Sequence, residues 1–380
     1  MRGMNSATPV RTTPNGQRVL HALLVLVALA AVLLAGHELP LQPTPSQVPA
    51  TVAAPPPPPP APPTPLGPDE LSARIVPTVV TLTASSGPLT TAGTGIVLSP
   101  DGLVLTNHHV VDGADDIDAI AMANGAGYDA DVLGYDRFRD VAVLRLRGAA
   151  GLPVAPLGQS AGLRLRDPVT AIGNAEGRGV AVSAPGFVTG TDESVVARNS
   201  GDGSRNRLTG MIEVDADIRP GDSGGPLVDA FGSVVGISTA GNTGMRPDPD
   251  GETTGTPVPI QSYALPIDDA LAIADQIRSG VGTATVHVGP TALLGVAVTD
   301  AGRSQDGAKV VAVGVASPAE QAEVVRGDVI VSWDGRPIRS QSDLTVEMNA
   351  RKPGDRVEIG WIDASGQRRT ATVALAEGTP

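Results

Sequence analysis

A mostly β fold is predicted for this chain of 380 residues: an all-β barrel or sandwich over residues 69–288 and a smaller α+β unit over 289–380, preceded by an apolar helix and a proline-rich stretch. Three observations carry that reading. From Ile75 to about Thr285, short β-rich runs alternate with Gly, Asp and Asn turns, the spacing that builds sandwiches and barrels. No strand–helix–strand rhythm appears there, which argues against a parallel doubly wound sheet. Aromatic residues make up 2% of the chain against a hydrophobic share of 41%, so the cores must be built from Val, Ile, Leu and Ala.

The elements follow in order. Residues 1–18 form a basic N-terminus with Arg2, Arg11 and Arg18 and no acidic residue. Val19–Gly36 is an apolar run broken only by His21; as a helix it spans roughly 27 Å, just enough to cross a bilayer. The segment 19–37 reads as a signal anchor, because no Ala-x-Ala cleavage site follows Gly36; a cleaved signal peptide is the alternative. Either way the basic flank places everything after it outside the cytoplasm, and as an anchor the helix makes the membrane a partner. Residues 38–68 are a linker with 14 prolines between Pro40 and Pro68, a polyproline-II spacer. Strands are predicted at Val79–Leu82, Gly95–Leu98, Leu103–Thr106, Val141–Leu146, Val169–Ile172, Met211–Val214 and Val234–Ser238. Ile267–Ile277, with Ala270, Leu271 and Ala274, has the 3.6-residue period of an amphipathic helix. The last ninety residues end in the alternating strands Val357–Ile362 and Thr370–Leu375.

Charge and composition exclude several functions. A net charge of −13 and a pI near 4.8 disfavour a nucleic-acid partner. The absence of cysteine removes disulfides, thiolate metal sites and a cysteine nucleophile. His108 beside Asp112, Asp115 and Asp116 reads as a solvated turn rather than a metal cluster, Asp248-Pro249-Asp250-Gly251 as a turn rather than a calcium loop, and His287 as a structural histidine. No metal and no cofactor is implied.

The chemistry is concentrated in three segments. In Gly221-Asp222-Ser223-Gly224-Gly225 the glycines leave backbone N–H groups unobstructed around a serine hydroxyl, and those of Gly221 and Ser223 would face one point, where an oxyanion can develop. A serine needs a base: Thr106-Asn107-His108-His109-Val110 follows the strand Leu103–Leu105 and places an imidazole at a strand-to-helix corner. The base needs a carboxylate to orient it, and Asp140 opens the apolar strand Val141–Leu146. The order His109, Asp140, Ser223 is that of chymotrypsin and differs from subtilisin and the α/β-hydrolases.

These three segments, with Gly93-Thr94-Gly95-Ile96 and Tyr263-Ala264-Leu265-Pro266, resemble the HtrA/DegP-type trypsin-fold serine proteases, and most of all the actinobacterial secreted PepA-like branch. The resemblance covers about residues 70–380. It implies a chymotrypsin-like double β-barrel with His109 and Asp140 on the first barrel and Ser223 on the second, and an oxyanion hole in the segment Gly221, Asp222, Ser223. In the family pattern Thr-Asn-x-His-Val the catalytic histidine is the fourth residue, hence His109 rather than His108. The tail resembles a PDZ domain: Leu294-Gly295-Val296 matches the carboxylate-binding loop, with Ser317-Pro318-Ala319 and Arg326-Gly327-Asp328-Val329-Ile330 as the expected continuation. The implied function is an extracytoplasmic serine endopeptidase acting on unfolded or exposed segments of polypeptide substrates, with peptide C-termini as partners of the PDZ domain. A PDZ-led chaperone with a silent hydrolytic site and a triad esterase are the rival readings. Trimerising members carry aromatics near the start of the protease domain, and residues 69–90 have none. A homo-oligomer therefore stays open, with the trimer in doubt.

Three departures from the family pattern stand out. Asp222 replaces the usual Asn and is expected to find an internal donor at Arg219. Glu323 stands where Gly usually ends a helix. Asp217, six residues before Ser223, occupies the spacing at which trypsin-like enzymes place the S1 aspartate. The favoured reading is that it pairs with Arg219 or points outward, which leaves Ile218 as the apolar wall of an S1 pocket for small aliphatic residues.

Overall fold

The computed structural model describes residues 64–198, 205–241, 259–302 and 305–380. The apolar segment 19–37, most of the proline-rich linker and Asp248–Gly251 lie outside the described residues. Among the described residues no helix is long and apolar enough to cross a membrane.

Helix α1 (Pro68–Ile75) opens the described chain. Pro68 takes the first turn, where its missing N–H costs nothing, Asp69 and Glu70 sit at the positive end of the helix, and Leu71 and Ile75 are its buried face. Six strands follow: β1 (Val79–Ser86), β2 (Leu89–Val97), β3 (Leu103–Thr106), β4 (Asp116–Ala121), β5 (Gly127–Asp136) and β6 (Val141–Leu146). They run antiparallel in the order β5-β4-β1-β2-β3-β6, and pairing of β5 with β6 brings the two ends together into a barrel. A second, closed barrel takes β7 (Pro168–Gly173), β8 (Val182–Arg198), β9 (Arg205–Val214), β10 (Pro226–Asp229), β11 (Val234–Gly241) and β12 (Ser262–Pro266) in the order β10-β11-β12-β9-β8-β7.

Successive strand residues face opposite sides, and the cores follow from that rule. Val80, Val104 and Leu144 fill the first barrel, while their neighbours Val79, Leu105 and Val143 join a separate layer with Ile172, Met211 and Ile237 of the second barrel. Strands buried on both faces read as unbroken apolar runs, which is why Leu103–Thr106 and Val141–Leu146 emerge from sequence with their observed limits. Helix α2 (His108–Val111) is a single turn after β3. Helix α3 (Ile267–Arg278) lays Ile267, Ala270, Ala274 and Ile277 on the layer between the barrels, the stripe its period predicts. β13 (Val286–Val288) then returns to pair with β5.

The C-terminal unit is a sheet of β15 (Val296–Asp300), β16 (Ala308–Val313), β17 (Val329–Trp333), β19 (Arg356–Ile362) and β20 (Arg368–Ala374), in that order, with β18 (Arg336–Pro337) beside β17. β14 (Thr291–Leu293) pairs separately with β21 (Ala376–Gly378). Helices α4 (Pro318–Gln321) and α5 (Gln341–Asn349) start at Ser317 and Ser340, whose side chains accept the N–H of Glu320 and Asp343, the usual serine cap. Here the expectation of purely aliphatic cores fails: Trp333 and Trp361 are both buried in this unit. Glu323 has φ of 63°, a left-handed conformation costing a non-glycine residue about 1–2 kcal/mol.

His287 on β13 lies where the two units meet. Its ring stacks on Tyr135 at 5.0 Å, its Nδ1 faces the carbonyl of Asn349 at 3.0 Å, and its Nε2 faces those of Gly289 and Pro290. Burial lowers its pKa, against the pull of those carbonyls. The structural role expected for it is the one its contacts describe.

Candidate active site

The segments singled out from sequence converge between the barrels. His109 stands in helix α2, and its Nδ1 lies 2.8 Å from Asp140 Oδ2 while its backbone N–H donates to Asp140 Oδ1 at 2.9 Å. Two-point attachment of one carboxylate to both the ring and the main chain fixes the imidazole plane and the proton on Nδ1. Burial works against a charged imidazole here, but Asp140, by charge and by hydrogen bond, outweighs it, and Asp112 adds to it; the pKa of His109 is raised.

Asp140 itself has φ of 57°, a left-handed backbone that no sequence signal announced. The turn before it is held by Asp136, whose Oδ1 accepts the N–H of Phe138 and Arg139; burial pushes the Asp136 carboxyl up despite those bonds. Arg139 ties the turn outward to the Thr209 carbonyl and to Asp269 of α3. The strained residue is also held by Asn107, which is fully buried and whose Nδ2 donates to the Asp140 carbonyl at 2.9 Å and to Thr239 Oγ1 at 3.0 Å. Thr239, on β11, accepts the Ser223 hydroxyl on its carbonyl at 3.3 Å. Asn107 thus bridges the two barrels at the site. Sequence reasoning gave Asn107 no role and did not find Thr239; a fully buried Asn in a motif is the signal that could have found the first, and only the β11 register reveals the second. Asn107→Ala removes both donors and leaves a buried carbonyl unsatisfied, at about 1–3 kcal/mol. It is expected to lower kcat about tenfold or more with KM little changed, which steady-state kinetics on casein-derived peptides checks.

Ser223 sits in a loop of the second barrel held by Thr94 of the first. Thr94 Oγ1 donates to the Gly221 carbonyl at 2.6 Å and accepts the Asn174 N–H, while the Thr94 N–H donates to the Ser223 carbonyl at 2.8 Å. Gly221 and Gly224 have φ of 96° and 86°, and a Cβ on either would come within 2.1 Å of a carbonyl oxygen, that of Asn174 or Thr94. Only glycine fits at both. Among the described residues neither the Gly221 nor the Ser223 N–H donates to a backbone carbonyl, whereas the Asp222 N–H is used on the Arg219 carbonyl at 2.9 Å. Of the expected segment Gly221, Asp222, Ser223, the N–H groups of Gly221 and Ser223 thus have no backbone acceptor among the described residues.

Asp222 does find its donor at Arg219, but from the backbone: the Arg219 N–H reaches Oδ2 at 2.9 Å. Among the described residues its buried Oδ1 has no hydrogen-bond partner. Burial raises the Asp222 pKa to about 6, the Arg219 N–H opposing and Asp217 reinforcing the shift. The Arg219 guanidinium is instead engaged by Asp217, at 2.6 and 2.8 Å, and by Glu176 at 3.0 Å. Asp217 is thus neutralised near the surface, and Ile218 is buried in the second-barrel core. His108 corrects another expectation. It is 2% exposed, with its ring 4.6 Å from Tyr135, so it packs in the interior rather than in a solvated turn.

In the C-terminal unit, Gly295 takes φ of 83°, and a Cβ there would meet Ser317 Cβ at 2.1 Å. Its carbonyl accepts the Gly314 N–H, and the Leu294 carbonyl that of Ala319. Among the described residues the N–H groups of Leu294 and Gly295 donate to no backbone carbonyl. Between β15 and α5 a groove of about 660 Å³ opens beside this loop, with Leu294, Gly295 and Val296 in its lining.

Residues 93–237 match the trypsin-like peptidase domain family and residues 292–375 the PDZ domain family. The serine protease PepD of Mycobacterium tuberculosis is 33% identical over 341 residues, covering 88% of this chain and 71% of that protein. A probable periplasmic serine endoprotease, DegP-like, of Pseudomonas savastanoi pv. phaseolicola is 33% identical over 291 residues, covering 74% of this chain and 55% of that protein. Among solved structures, the serine endoprotease from Yersinia pestis is 25% identical and covers 83% of this chain and 99% of that one, with a TM-score of 0.44. The chain belongs to the HtrA/DegP-type family of trypsin-like serine endopeptidases that carry a C-terminal PDZ domain.

Proposed function

We propose that peptide-bond hydrolysis in this enzyme is carried by Ser223, His109 and Asp140. Ser223 Oγ attacks the scissile carbonyl, His109 Nε2 takes its proton and later passes it to the leaving amine, and Asp140 holds the tautomer and stabilises the imidazolium. The N–H groups of Gly221 and Ser223 receive the oxyanion. The observation that carries the assignment is the double attachment of His109 to Asp140, 2.8 Å at the ring and 2.9 Å at the backbone. The Ser223 hydroxyl must leave the Thr239 carbonyl for His109 when substrate binds, in keeping with the looser hydrogen bonds of unliganded sites. Turnover of casein against a small ester tests the reading: a peptidase cleaves casein efficiently, and ester turnover without casein cleavage would favour the esterase.

Substrates are unfolded or exposed polypeptide segments with small aliphatic P1 residues. Ile218 supplies the apolar wall, and the Arg219 guanidinium keeps Asp217 from acting as a basic-residue selector. Asp217→Ala should leave a P1-Val preference over P1-Arg in kcat/KM intact. A preference for Arg of tenfold or more, about 1.4 kcal/mol, that vanishes in Asp217→Ala would reverse the assignment.

The PDZ domain receives peptide C-termini. The peptide adds a strand to β15, which among the described strands pairs only with β16 and so offers its other edge. Its terminal carboxylate meets the N–H groups of Leu294, Gly295 and Val296, and its last side chain lies toward Leu344 and Met348 of α5, which line the groove. The periplasmic designation of the DegP-like relative and the basic flank before residue 19 support an extracytoplasmic site of action, with 19–37 as membrane anchor.

A further inference from the structure

The turn that carries His109 has little of its own to hold it in place. Helix α2 is a single turn without a side-chain cap at its start, and so short a helix is not stable alone. Its orientation is set by what it packs against. At about 100° per residue, His108, Val110 and Val111 share the inner side and are buried, while the His109 side chain points away from them and is 29% exposed. On one flank Val110 enters a notch on β2, where a Cβ added to Gly93 would come within 2.4 Å of Val110 Cγ1. On the other flank the His108 ring lies 4.6 Å from that of Tyr135, tilted by 46°.

Tyr135 is itself held in place. Among the described residues no other aromatic side chain of the two barrels is buried. The His287 ring stacks on it at 5.0 Å, and its hydroxyl lies 3.4 Å from Thr291 Oγ1. Its backbone pairs with Ala142 of β6, and that of Asp136 with Val141, so Tyr135 belongs to the strand pair that delivers Asp140. One residue therefore touches both members of the His109–Asp140 pair. Its ring meets the turn of the first, and its main chain sets the register of the strand that follows the second.

We propose that Tyr135 is a positioning residue for the reaction: its ring, held by His287, fixes the rotation of the α2 turn so that the His109 imidazole meets Asp140. This rests on the assignment of His109 as base and Asp140 as its orienting carboxylate. Rotation of the turn lengthens the 2.8 Å contact between Nδ1 and Oδ2, and the pull of the carboxylate on the imidazolium falls with distance. A misplacement of about 1 Å in a catalytic group costs up to about a hundredfold in rate.

The test measures kcat, KM and the pH profile on a P1-Val peptide, per active site titrated to completion with a fluorophosphonate probe, so that unfolded protein does not count. Tyr135→Leu and Tyr135→Met both remove the flat ring, the second with a flexible side chain that fills the space left. Each should lower kcat about tenfold with KM little changed, and move the acid limb of kcat/KM to lower pH, the direction expected of Asp140→Asn. Tyr135→Phe, which keeps the ring, should recover most of the rate and the parent limb. A parent kcat in Tyr135→Met, a loss of kcat with the acid limb unmoved, or an equal loss in Tyr135→Phe would overturn the role of the ring. Full activity in His109→Ala would remove the triad assignment and this proposal together, whereas an inactive His109→Ala beside an unaffected Tyr135→Met would overturn the proposal alone.

Discussion

Ser223→Ala and His109→Ala should each lower casein turnover by several orders of magnitude, and combining them should cost little more, because nucleophile and base act as a unit. Asp140→Asn should also be severe. It keeps the shape of the side chain but removes the charge that raises the His109 pKa and the acceptor that selects its tautomer. The pH profile adds a directional check. A base must be unprotonated to act, so the raised pKa of His109 places the acid limb of kcat/KM above the ordinary histidine value, and losing the Asp140 charge should move that limb to lower pH. His108→Asn should stay within about tenfold of the parent enzyme, since His108 packs on Tyr135 while its neighbour His109 is the residue bonded to Asp140. A dead His108→Asn beside an active His109→Ala would exchange the roles of the two histidines.

The second large effect is on stability. Asp222 is 4% exposed, one of its carboxylate oxygens has no partner among the described residues, and its pKa in the fold is about 6 against an ordinary 3.8. Between those values the folded protein holds a proton that the unfolded chain releases, so stability falls as pH rises through that window, and the full penalty is present above about pH 6. Two pKa units are worth about 3 kcal/mol. Asp222→Asn restores the residue usual in Gly-x-Ser-Gly-Gly, can still accept the Arg219 N–H, and has no charge to desolvate. It should stabilise the protein by up to about that amount at pH 7.5 and by much less at pH 4. Urea unfolding at both pH values measures this, and an equal gain at the two would show that charge burial is not the cause.

Much of this was legible in the sequence, for reasons tied to particular residues. The strands next to His109 and Asp140 are buried on both faces, so Leu103–Thr106 and Val141–Leu146 stand out as apolar runs. Helix α3 shows its buried stripe at Ile267, Ala270, Ala274 and Ile277. The Ser223 loop is marked by glycines at Gly221 and Gly224, where a Cβ would strike a carbonyl. Other elements leave little trace. In β8, described side chains other than Val188 and Gly190 are exposed or half-exposed, so its pairing with β9 follows from hydrogen bonding across many polar positions rather than from an apolar pattern. The left-handed backbone of Asp140, the donors from Asn107 and the Thr239 carbonyl depend on contacts between distant strands, which motif spacing does not encode.

Activation of Ser223 as nucleophile by His109 is tested by a fluorophosphonate probe followed by peptide mapping. A single modified residue, Ser223, is expected, with labelling lost in His109→Ala and strongly slowed in Asp140→Asn. Labelling at another serine, or casein cleavage that persists in Ser223→Ala, would contradict it.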